Sequence, residues 1–329
     1  MFIKKIFFIV FFILLSISIV LSGEEPVFLN LDAPQTKNLD GNTPLINCPG
    51  DDTLPRNWRM SADPLKNKDN VVMPCLEGFN TLNMSGSGAF SVGQFKKMRD
   101  ALGGRKVIVV DLREESHGLV NNMCVSWYKA GNNLNQGKNN DVISVIERDL
   151  LNNLKDKEHI NIDIILKRPD LKDPNTWEIT ELPVKVENVM TEEELVTKYG
   201  YGYYRNPVTD YHRPEDHEVD NFIMFYRDLS PDTWLHFHCK AGKGRTTTFM
   251  TMYDMMRNYD KAKRDDIIKR QCLSGGIDLM DTDNPDNFNI EWGRARGEFI
   301  LKFYDYCSQK GPDYKTTWSE WLKEAPPEH

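Results

Sequence analysis

The feature that most constrains the fold is a glycine-broken loop, residues 239–244, that joins an apolar strand to a helix. The strand is predicted at Trp234–His238, and the helix is predicted to begin near Arg245. A loop that enters a helix directs several backbone N–H groups inward, and the helix N-terminus adds positive potential. Gly242 and Gly244 let the backbone curl where side chains would obstruct it. The pattern therefore predicts a cradle for a phosphate dianion.

Four side chains around this loop carry the predicted chemistry. Cys239 lies at the bottom of the cradle, where the positive field favours a thiolate that can attack phosphorus. Arg245 offers a planar fork for two phosphate oxygens. Thr246 can donate a hydrogen bond to the sulfur, and His238 is expected to orient the loop and tune the thiolate. A cysteine that merely fills the core is the alternative, and the arginine, threonine and glycines that follow it argue against that interpretation.

The rest of the loop is predicted to bind substrate. Its members are Lys240, Ala241, Gly242, Lys243 and Gly244. Two ammonium groups at the rim should favour a substrate that carries phosphates beside the scissile one, whereas phosphotyrosine gains less from them. The loop does not fit the nucleotide-binding pattern Gly-x4-Gly-Lys-Ser/Thr.

A cysteinyl-phosphate mechanism also needs a proton donor for the leaving alkoxide and a base for the attacking water. One carboxylate can serve both steps. Asp210 is the best candidate, because it lies in a loop bounded by Pro207 and Pro214 that could close over the cradle. From spacing alone, an ordinary turn aspartate is an equally good interpretation.

Composition and charge exclude several function classes. The chain of 329 residues has a formal net charge of −8, which makes it a poor candidate for nucleic-acid binding. Its histidines and cysteines show no His-Glu-x-x-His or paired Cys-x-x-Cys spacing, so we expect no metal and no cofactor. The cysteine spacing predicts no disulfide framework either.

Residues 1–22 have the pattern of a secretory signal peptide, with Lys4 and Lys5 before an apolar run that ends at Leu21. An uncleaved membrane anchor is the alternative, since the run is only just below spanning length. We expect export to a secreted or cell-envelope location, with membrane association only if the segment stays uncleaved. Residues 23–54 are predicted to form an extended lead-in that precedes the folded domain.

The periodicity of residues 55–329 indicates an α/β fold. Ser85–Gly88 is predicted to be a turn, after which Ser91 caps a helix. The run Lys106–Leu112, which is apolar apart from Lys106 and Asp111, predicts a strand buried on both faces. The polar residues that follow it, Arg113–Gly118, stand where open α/β sheets place their sites.

Alternation with a period of two from Ile160 to Val186 predicts antiparallel strands, and hence a β-rich insert at about 155–190. Thr191 and Glu194 form a predicted capping box for a short helix. Further helices are predicted at about 141–154, 219–229, 245–256, 263–272 and 290–307. A tail with Trp318 and Trp321 is expected to pack back on the domain.

The loop Cys239–Arg245 resembles the signature of cysteine-dependent protein tyrosine phosphatases. Over about residues 55–307 the chain more closely resembles the bacterial phytases with that fold, the protein-tyrosine-phosphatase-like (PTP-like) inositol polyphosphatases. The stretches that carry this resemblance are Pro55–Arg59, Asp111–Arg113, Glu115–Gly118, Val125–Tyr128, Thr209–Asp210 and Trp234–Cys239. The resemblance implies a phosphatase core, with a central mixed or parallel sheet flanked by helices, beside a small β-rich subdomain.

The resemblance also implies roles for individual residues. It makes Asp210 the general acid and makes Arg59 a ligand of substrate phosphates. Glu115 is expected to hold Arg245 in place.

Four more basic residues are candidate phosphate ligands. Lys167 and Arg168 lie in the predicted subdomain, and Arg294 and Arg296 lie on the predicted late helix. For each of them a solvated surface charge is an equally good interpretation.

The chain departs from the family pattern in two places. Tyr211 stands between Asp210 and His212, where the family usually has histidine directly after the Thr-Asp pair. The loop carries Lys240 and Lys243, where familiar phytases of this type often have glutamate and an apolar residue. The resulting Lys-Ala-Gly-Lys-Gly core resembles that of phosphoinositide 3-phosphatases of the tumour-suppressor type, so both resemblances point to an inositol ring.

The leading hypothesis is therefore an exported, metal-independent bacterial phytase that acts on myo-inositol hexakisphosphate, a small-molecule partner. A secreted phosphoinositide, protein-tyrosine or dual-specificity phosphatase is the alternative. A phosphate-binding module without catalysis is a third, and the intact Cys, Arg and Asp argue against it because binding alone needs no thiol.

Overall fold

The computed structural model describes residues 35–36, 39–66, 72–129, 134–170, 172–283 and 289–324. The predicted signal peptide and the first part of the predicted lead-in lie outside these residues. Within the described part, no helix is both long and apolar enough to cross a membrane.

Twelve strands and eight α-helices make up the described fold. The strands are β1 (Gln35–Thr36), β2 (Asp40–Cys48), β3 (Arg59–Met60), β4 (Met84–Gly88), β5 (Val107–Arg113), β6 (His117–Val120), β7 (Met123–Lys129), β8 (His159–Lys167), β9 (Glu178–Lys185), β10 (Val189–Met190), β11 (Gly202–Val208) and β12 (Trp234–Cys239). The helices are α1 (Val92–Leu102), α2 (Asn140–Lys155), α3 (Glu192–Lys198), α4 (Asp216–Arg227), α5 (Gly244–Asn258), α6 (Arg264–Leu273), α7 (Ile290–Lys310) and α8 (Trp318–Glu324).

The core is a five-stranded mixed sheet in the order β11-β5-β12-β4-β3. Strands β11, β5, β12 and β4 are parallel to one another, and β3 is antiparallel to β4. One face packs against α4, α5 and α7, and the other packs against α1 and α3. The apolar β5 lies between β11 and β12, as its pattern predicts, and the predicted α/β fold class is confirmed.

A second sheet of seven strands, in the order β1-β9-β8-β2-β7-β6-β10, forms the β-rich part. Strands β8 and β9 are antiparallel, as the alternation predicts. The sheet extends beyond the predicted insert at 155–190. It takes β1 and β2 from the predicted lead-in, so that part of residues 23–54 belongs to the fold and does not merely precede it. It also takes β6 and β7 from the segment after β5, because a single hairpin buries too little apolar surface to be stable alone.

The stretch Ser85–Gly88 is part of the buried strand β4, so the predicted turn is wrong. Small residues suit this strand because α5 crosses it closely. A Cβ atom at Gly86 would lie 2.4 Å from the Met250 sulfur and 3.0 Å from Cγ2 of Thr246. The residues that resemble a turn are therefore required by helix packing.

The sequence elements that frame the site are confirmed. Ser91 caps α1 and Thr191 caps α3, each in a capping box. The helix after β12 begins at Gly244. In the tail, Trp318 and Trp321 are buried against the core.

Three parallel strands, β5, β11 and β12, end at the same edge of the core sheet. In register, Arg113 pairs with Val208 on one side of β5, and Asp111 pairs with His238 on the other. This edge therefore brings together the segments that start after residues 113, 208 and 239, the position that open α/β sheets use for their sites.

Candidate active site

Cys239 ends β12 and is almost fully buried at the carboxyl edge of the core sheet. The hydroxyl of Thr246, in the first turn of α5, donates a hydrogen bond to the Cys239 sulfur at 3.2 Å. A hydroxyl donor at this distance can stabilise negative charge that develops on the sulfur. Both residues lie where the cysteinyl-phosphate hypothesis requires them.

The segment 56–59 holds the carbonyl groups of the loop. Arg56 donates to the carbonyl of Lys240, Asn57 Nδ2 donates to that of Ala241 at 2.8 Å, and Arg59 Nη1 donates to that of Gly242 at 2.8 Å. In a trans peptide the N–H points away from its C=O. The next three amides of the loop are therefore turned away from this segment, which is the orientation an anion cradle needs.

Arg59 was predicted to bind substrate phosphates. In the structure its Nη1 donates to backbone carbonyl groups instead. Besides Gly242, it bonds the Asn57 carbonyl, and Nη2 lies 3.3 Å from the Thr247 hydroxyl. Burial lowers the pKa of Arg59 to about 10, while the Cys239 sulfur opposes that shift. Arg59 thus lies in the site and holds the loop by hydrogen bonds. Arg56 and Asn57, which also hold the loop, were not predicted to belong to the site.

Glycine is required at positions 242 and 244 of the loop for two different structural reasons. Gly242 has a φ of +73°, and a Cβ there would lie 2.3 Å from the Gly88 nitrogen and the Ser87 carbonyl carbon. A Cβ at Gly244 would lie 2.8 Å from Nη1 of Arg296. Gly242 therefore permits the turn against β4, and Gly244 leaves room for a cation.

Arg245 is buried and held by a bidentate ion pair. Its Nη1 and Nη2 lie 2.7 and 3.1 Å from the two carboxylate oxygens of Glu115. Nη1 also donates to the carbonyls of Leu112 and Val208. Among the described residues, Nε of Arg245 has no hydrogen-bond acceptor although it is buried. The fork is fixed in place, and one N–H remains available to a phosphate oxygen.

Glu115 remains ionised because two guanidinium groups surround it. Burial alone would raise its pKa, but Arg245 and Arg113 hold the pKa of Glu115 well below its ordinary value. Arg113 Nε lies 3.0 Å from Oε1 of Glu115. The expected role of Glu115, to hold Arg245 in place, is therefore matched by the contacts, and Arg113 adds a second support.

Asp210 reaches the site from the loop after β11. Its Oδ1 lies 3.1 Å from Nη2 of Arg245, and its side chain is 19% exposed. The extra residue Tyr211 has a φ of +67°, an uncommon conformation for a bulky residue. His212 then turns back, with Nδ1 2.8 Å from the Asp210 carbonyl and its ring against Trp292. The backbone conformation at Tyr211 therefore accommodates the extra residue, and Asp210 still contacts Arg245.

The His238 side chain lies on the opposite face of the sheet from that of Cys239, because the two residues are consecutive in β12. Its Nε2 lies 2.7 Å from Oε1 of Glu192 on α3, and its ring packs against Phe90. It therefore anchors β12 beneath the loop.

Among the described residues, Asp111, Glu192 and His238 place potential metal-ligand atoms within 4.8 Å of one another. Asp111 also lies 3.3 Å from both Arg205 and His117, which supply positive charge. We interpret the cluster as an ion-pair network.

The four peripheral basic residues divide into two pairs. Arg296 is 5% exposed, lies against Gly244 and has Nη1 3.5 Å from the Tyr211 carbonyl. Arg294 is exposed and paired with Asp283 at 3.1 Å. Positions two apart on a helix face nearly opposite directions, so only one of the two arginines can face the site.

Of Lys167 and Arg168, likewise, only one lies at the site. Lys167 is 69% exposed and paired with Glu178 at 3.1 Å. Arg168 packs over the Trp177 ring and is close enough to act electrostatically on Lys240 and Tyr211. The structure therefore brings Arg168 and Arg296 to the site and places Lys167 and Arg294 outside it.

The loop lysines differ in exposure. Lys240 is half-buried, with Nζ 4.4 Å from the centroid of the Tyr128 ring, whereas Lys243 is exposed. Burial, together with Arg168, lowers the pKa of Lys240 to about 7, against the opposing effect of Glu115.

Comparison with known proteins agrees with this geometry. The family model for PTP-like phytases matches residues 110–257, and its description is "Inositol hexakisphosphate". A solved structure of a PTP-like phytase from Bdellovibrio bacteriovorus is 30% identical, with a TM-score of 0.64, and the match covers 91% of this chain and 100% of that one. This chain belongs to the PTP-like phytase family.

Other relatives of this chain are longer. A PTP-like myo-inositol phosphatase from Mitsuokella multacida, solved in complex with myo-inositol-(1,3,4,5)-tetrakisphosphate, is 35% identical with a TM-score of 0.79, over 86% of this chain and 47% of that one. The effector protein hopD2 of Pseudomonas syringae pv. tomato is 30% identical over 255 residues, which are 74% of this chain and 52% of hopD2. The chain spans about half the length of these relatives.

Proposed function

We propose that this chain hydrolyses the phosphomonoesters of myo-inositol hexakisphosphate stepwise, through a cysteinyl-phosphate intermediate. The observation that carries the proposal is the meeting of Cys239, Arg245 and Asp210 at one sheet edge, with the further cations Lys240, Arg168 and Arg296 around them. In a chain of net charge −8, such a concentration of positive charge suits a small polyanion. The inositol tetrakisphosphate bound to the Mitsuokella relative belongs to the same chemical class.

In the first step the Cys239 sulfur attacks phosphorus. The S–P bond forms as the P–O bond to the inositol ring breaks, and a protonated Asp210 gives its proton to the departing oxygen. Arg245 Nε and the loop amides stabilise the phosphoryl oxygens, and Glu115 keeps the guanidinium from moving.

In the second step Asp210, now a carboxylate, accepts a proton from water. The water oxygen bonds to phosphorus as the S–P bond breaks, which releases inorganic phosphate and returns the Cys239 thiolate. The Thr246 hydroxyl, 3.2 Å from the sulfur, stabilises that leaving thiolate.

The preference for several phosphates is tested by the loop lysines. Lys240→Ala combined with Lys243→Ala is expected to raise the KM for inositol hexakisphosphate about tenfold or more, and the KM for an aryl monophosphate much less, because only the first substrate has phosphates beside the scissile one. Steady-state phosphate release with both substrates measures this. An equal change in both KM values would contradict the proposal.

Arg296 and Arg294 give a second, internally matched test. Arg296→Gln is expected to lower kcat/KM for inositol hexakisphosphate by roughly 10- to 100-fold, because it removes a buried cation that acts on both Asp210 and Cys239. Arg294→Gln, two residues away and exposed, should leave kcat/KM within about twofold. Equal losses in the two variants would contradict the placement of Arg296 in the site and Arg294 outside it.

We also propose export, which rests on the signal-like pattern of residues 1–22. N-terminal sequencing of secreted material tests it. An intact Met1 on membrane-bound protein would contradict cleavage.

A further inference from the structure

Two basic side chains and two aromatic rings form a continuous row of contacts between the phosphate loop and the β-rich sheet. Lys240 Nζ lies 4.4 Å from the Tyr128 ring centroid, and the Tyr128 and Trp177 rings are 5.6 Å apart. Arg168 Cζ lies 4.8 Å from the Trp177 ring centroid. We call Lys240, Tyr128, Trp177 and Arg168 the cation ladder.

The aromatic part of the ladder is rigid. Trp177 is fully buried, and its Nε1 donates to the Asp170 carbonyl at 2.6 Å. Tyr128 is 5% exposed and packs in the same apolar cluster, beside Leu45 and Ile179. Lysine and arginine side chains are long and lose much conformational freedom when they bind. A fixed ring face under each cation reduces the freedom that remains to be lost.

The ladder places Lys240 and Arg168 within electrostatic range of each other at the edge of the site. Burial and Arg168 both act against the protonated form of Lys240, whereas Glu115 and Asp210 support it. Among the described residues Arg168 makes no ion pair within 4.0 Å, in contrast to its neighbour Lys167, which Glu178 neutralises. Two cations kept together with incomplete neutralisation suit a ligand that supplies several negative charges.

The ladder also joins segments that are remote in sequence. Lys240 follows β12 of the core sheet, whereas Tyr128 lies on β7 and Trp177 precedes β9, both in the β-rich sheet. Arg168 directly follows β8. The β-rich sheet therefore contributes positioned charge to a site whose reacting groups all belong to the core.

We propose that Tyr128 and Trp177 are positioning residues that hold Lys240 and Arg168 as a fixed pair of cations for the phosphates next to the one that Cys239 attacks. This inference rests on the proposed function, and it assigns substrate specificity to an aromatic pair that itself carries no charge. The pair acts on affinity for a polyphosphate, and the chemical step at Cys239 does not depend on it.

The test compares kcat and KM for inositol hexakisphosphate and for p-nitrophenyl phosphate in the full chain. Arg168→Gln and Trp177→Leu are expected to raise the KM for the hexakisphosphate about tenfold, with kcat and the KM for the aryl phosphate changed less than about twofold. Trp177→Phe, which keeps a ring face, should retain most of the wild-type KM. Lys167→Gln is the matched control outside the site and should change nothing.

Each outcome decides a different point. Trp177 is buried, so thermal unfolding is measured for each variant; if Trp177→Leu does not fold, the exposed Arg168→Gln and the conservative Trp177→Phe carry the test. Equal KM changes for both substrates, or equal effects of Arg168→Gln and Lys167→Gln, would overturn the ladder while hexakisphosphate turnover by the wild type stands. A wild-type chain that hydrolyses the aryl phosphate and not the hexakisphosphate would overturn the proposed function, and the ladder with it.

Discussion

Replacing Cys239 with serine is expected to lower kcat for inositol hexakisphosphate by at least about 10⁴-fold. A serine hydroxyl is a far weaker nucleophile than a thiolate, and Thr246 is placed to stabilise a charged sulfur. The cradle itself is unchanged, because segment 56–59 holds the loop through its backbone carbonyls. Substrate binding should therefore persist, with a Kd within a few-fold of the wild-type KM by calorimetry.

Cys75→Ser is the control for this substitution. Cys75 is partly exposed and its thiol contacts the Lys261 carbonyl, a bond that serine can also make. Its activity should equal that of the wild type. Turnover that survives in Cys239→Ser would remove the cysteinyl-phosphate mechanism, whereas loss of binding together with turnover would mean that the cradle had collapsed.

Replacing Asp210 with asparagine is expected to slow turnover of inositol hexakisphosphate by about 10²–10⁴-fold. The alkoxide of an inositol ring is a poor leaving group and needs the proton that Asp210 supplies. p-Nitrophenolate leaves without a proton, so the first step with p-nitrophenyl phosphate should be affected least. The measurement is the ratio of kcat/KM values for the two substrates, in the variant and in the wild type.

Asp283→Asn serves as the matched control, because Asp283 is exposed and pairs with Arg294 on the surface. It should leave both rates unchanged. If Asp210→Asn lost the same factor on both substrates, the carboxylate would be acting through its 3.1 Å contact with Arg245 and not as a general acid.

Three of the groups at the site could be predicted because they lie in one short segment, residues 239–246. A strand, a glycine loop and a helix place Cys239, Arg245 and Thr246 through local geometry alone. Asp210 and Glu115 needed one further step, namely that parallel strands end at the same sheet edge. The family resemblance then raised Asp210 above an ordinary turn residue.

The supporting residues could not be predicted, because tertiary packing decides their roles. Ser85–Gly88 has the composition of a turn, and only the close crossing of α5 makes it a strand. Arg296 and Arg294 are chemically identical, and the packing of α7 decides which of them faces the site. Tyr128 and Trp177 are far apart in the chain and meet only in the β-rich sheet.

The most direct test of the central claim is a comparison of kcat/KM for three substrates, with a chelator present and no added metal. Inositol hexakisphosphate, a phosphotyrosine peptide and a phosphoinositide would be offered to the same purified chain. The predicted result is the highest kcat/KM for inositol hexakisphosphate, with stepwise release of phosphate that Cys239→Ser abolishes. A higher kcat/KM for the phosphotyrosine peptide or the phosphoinositide would contradict the proposed function.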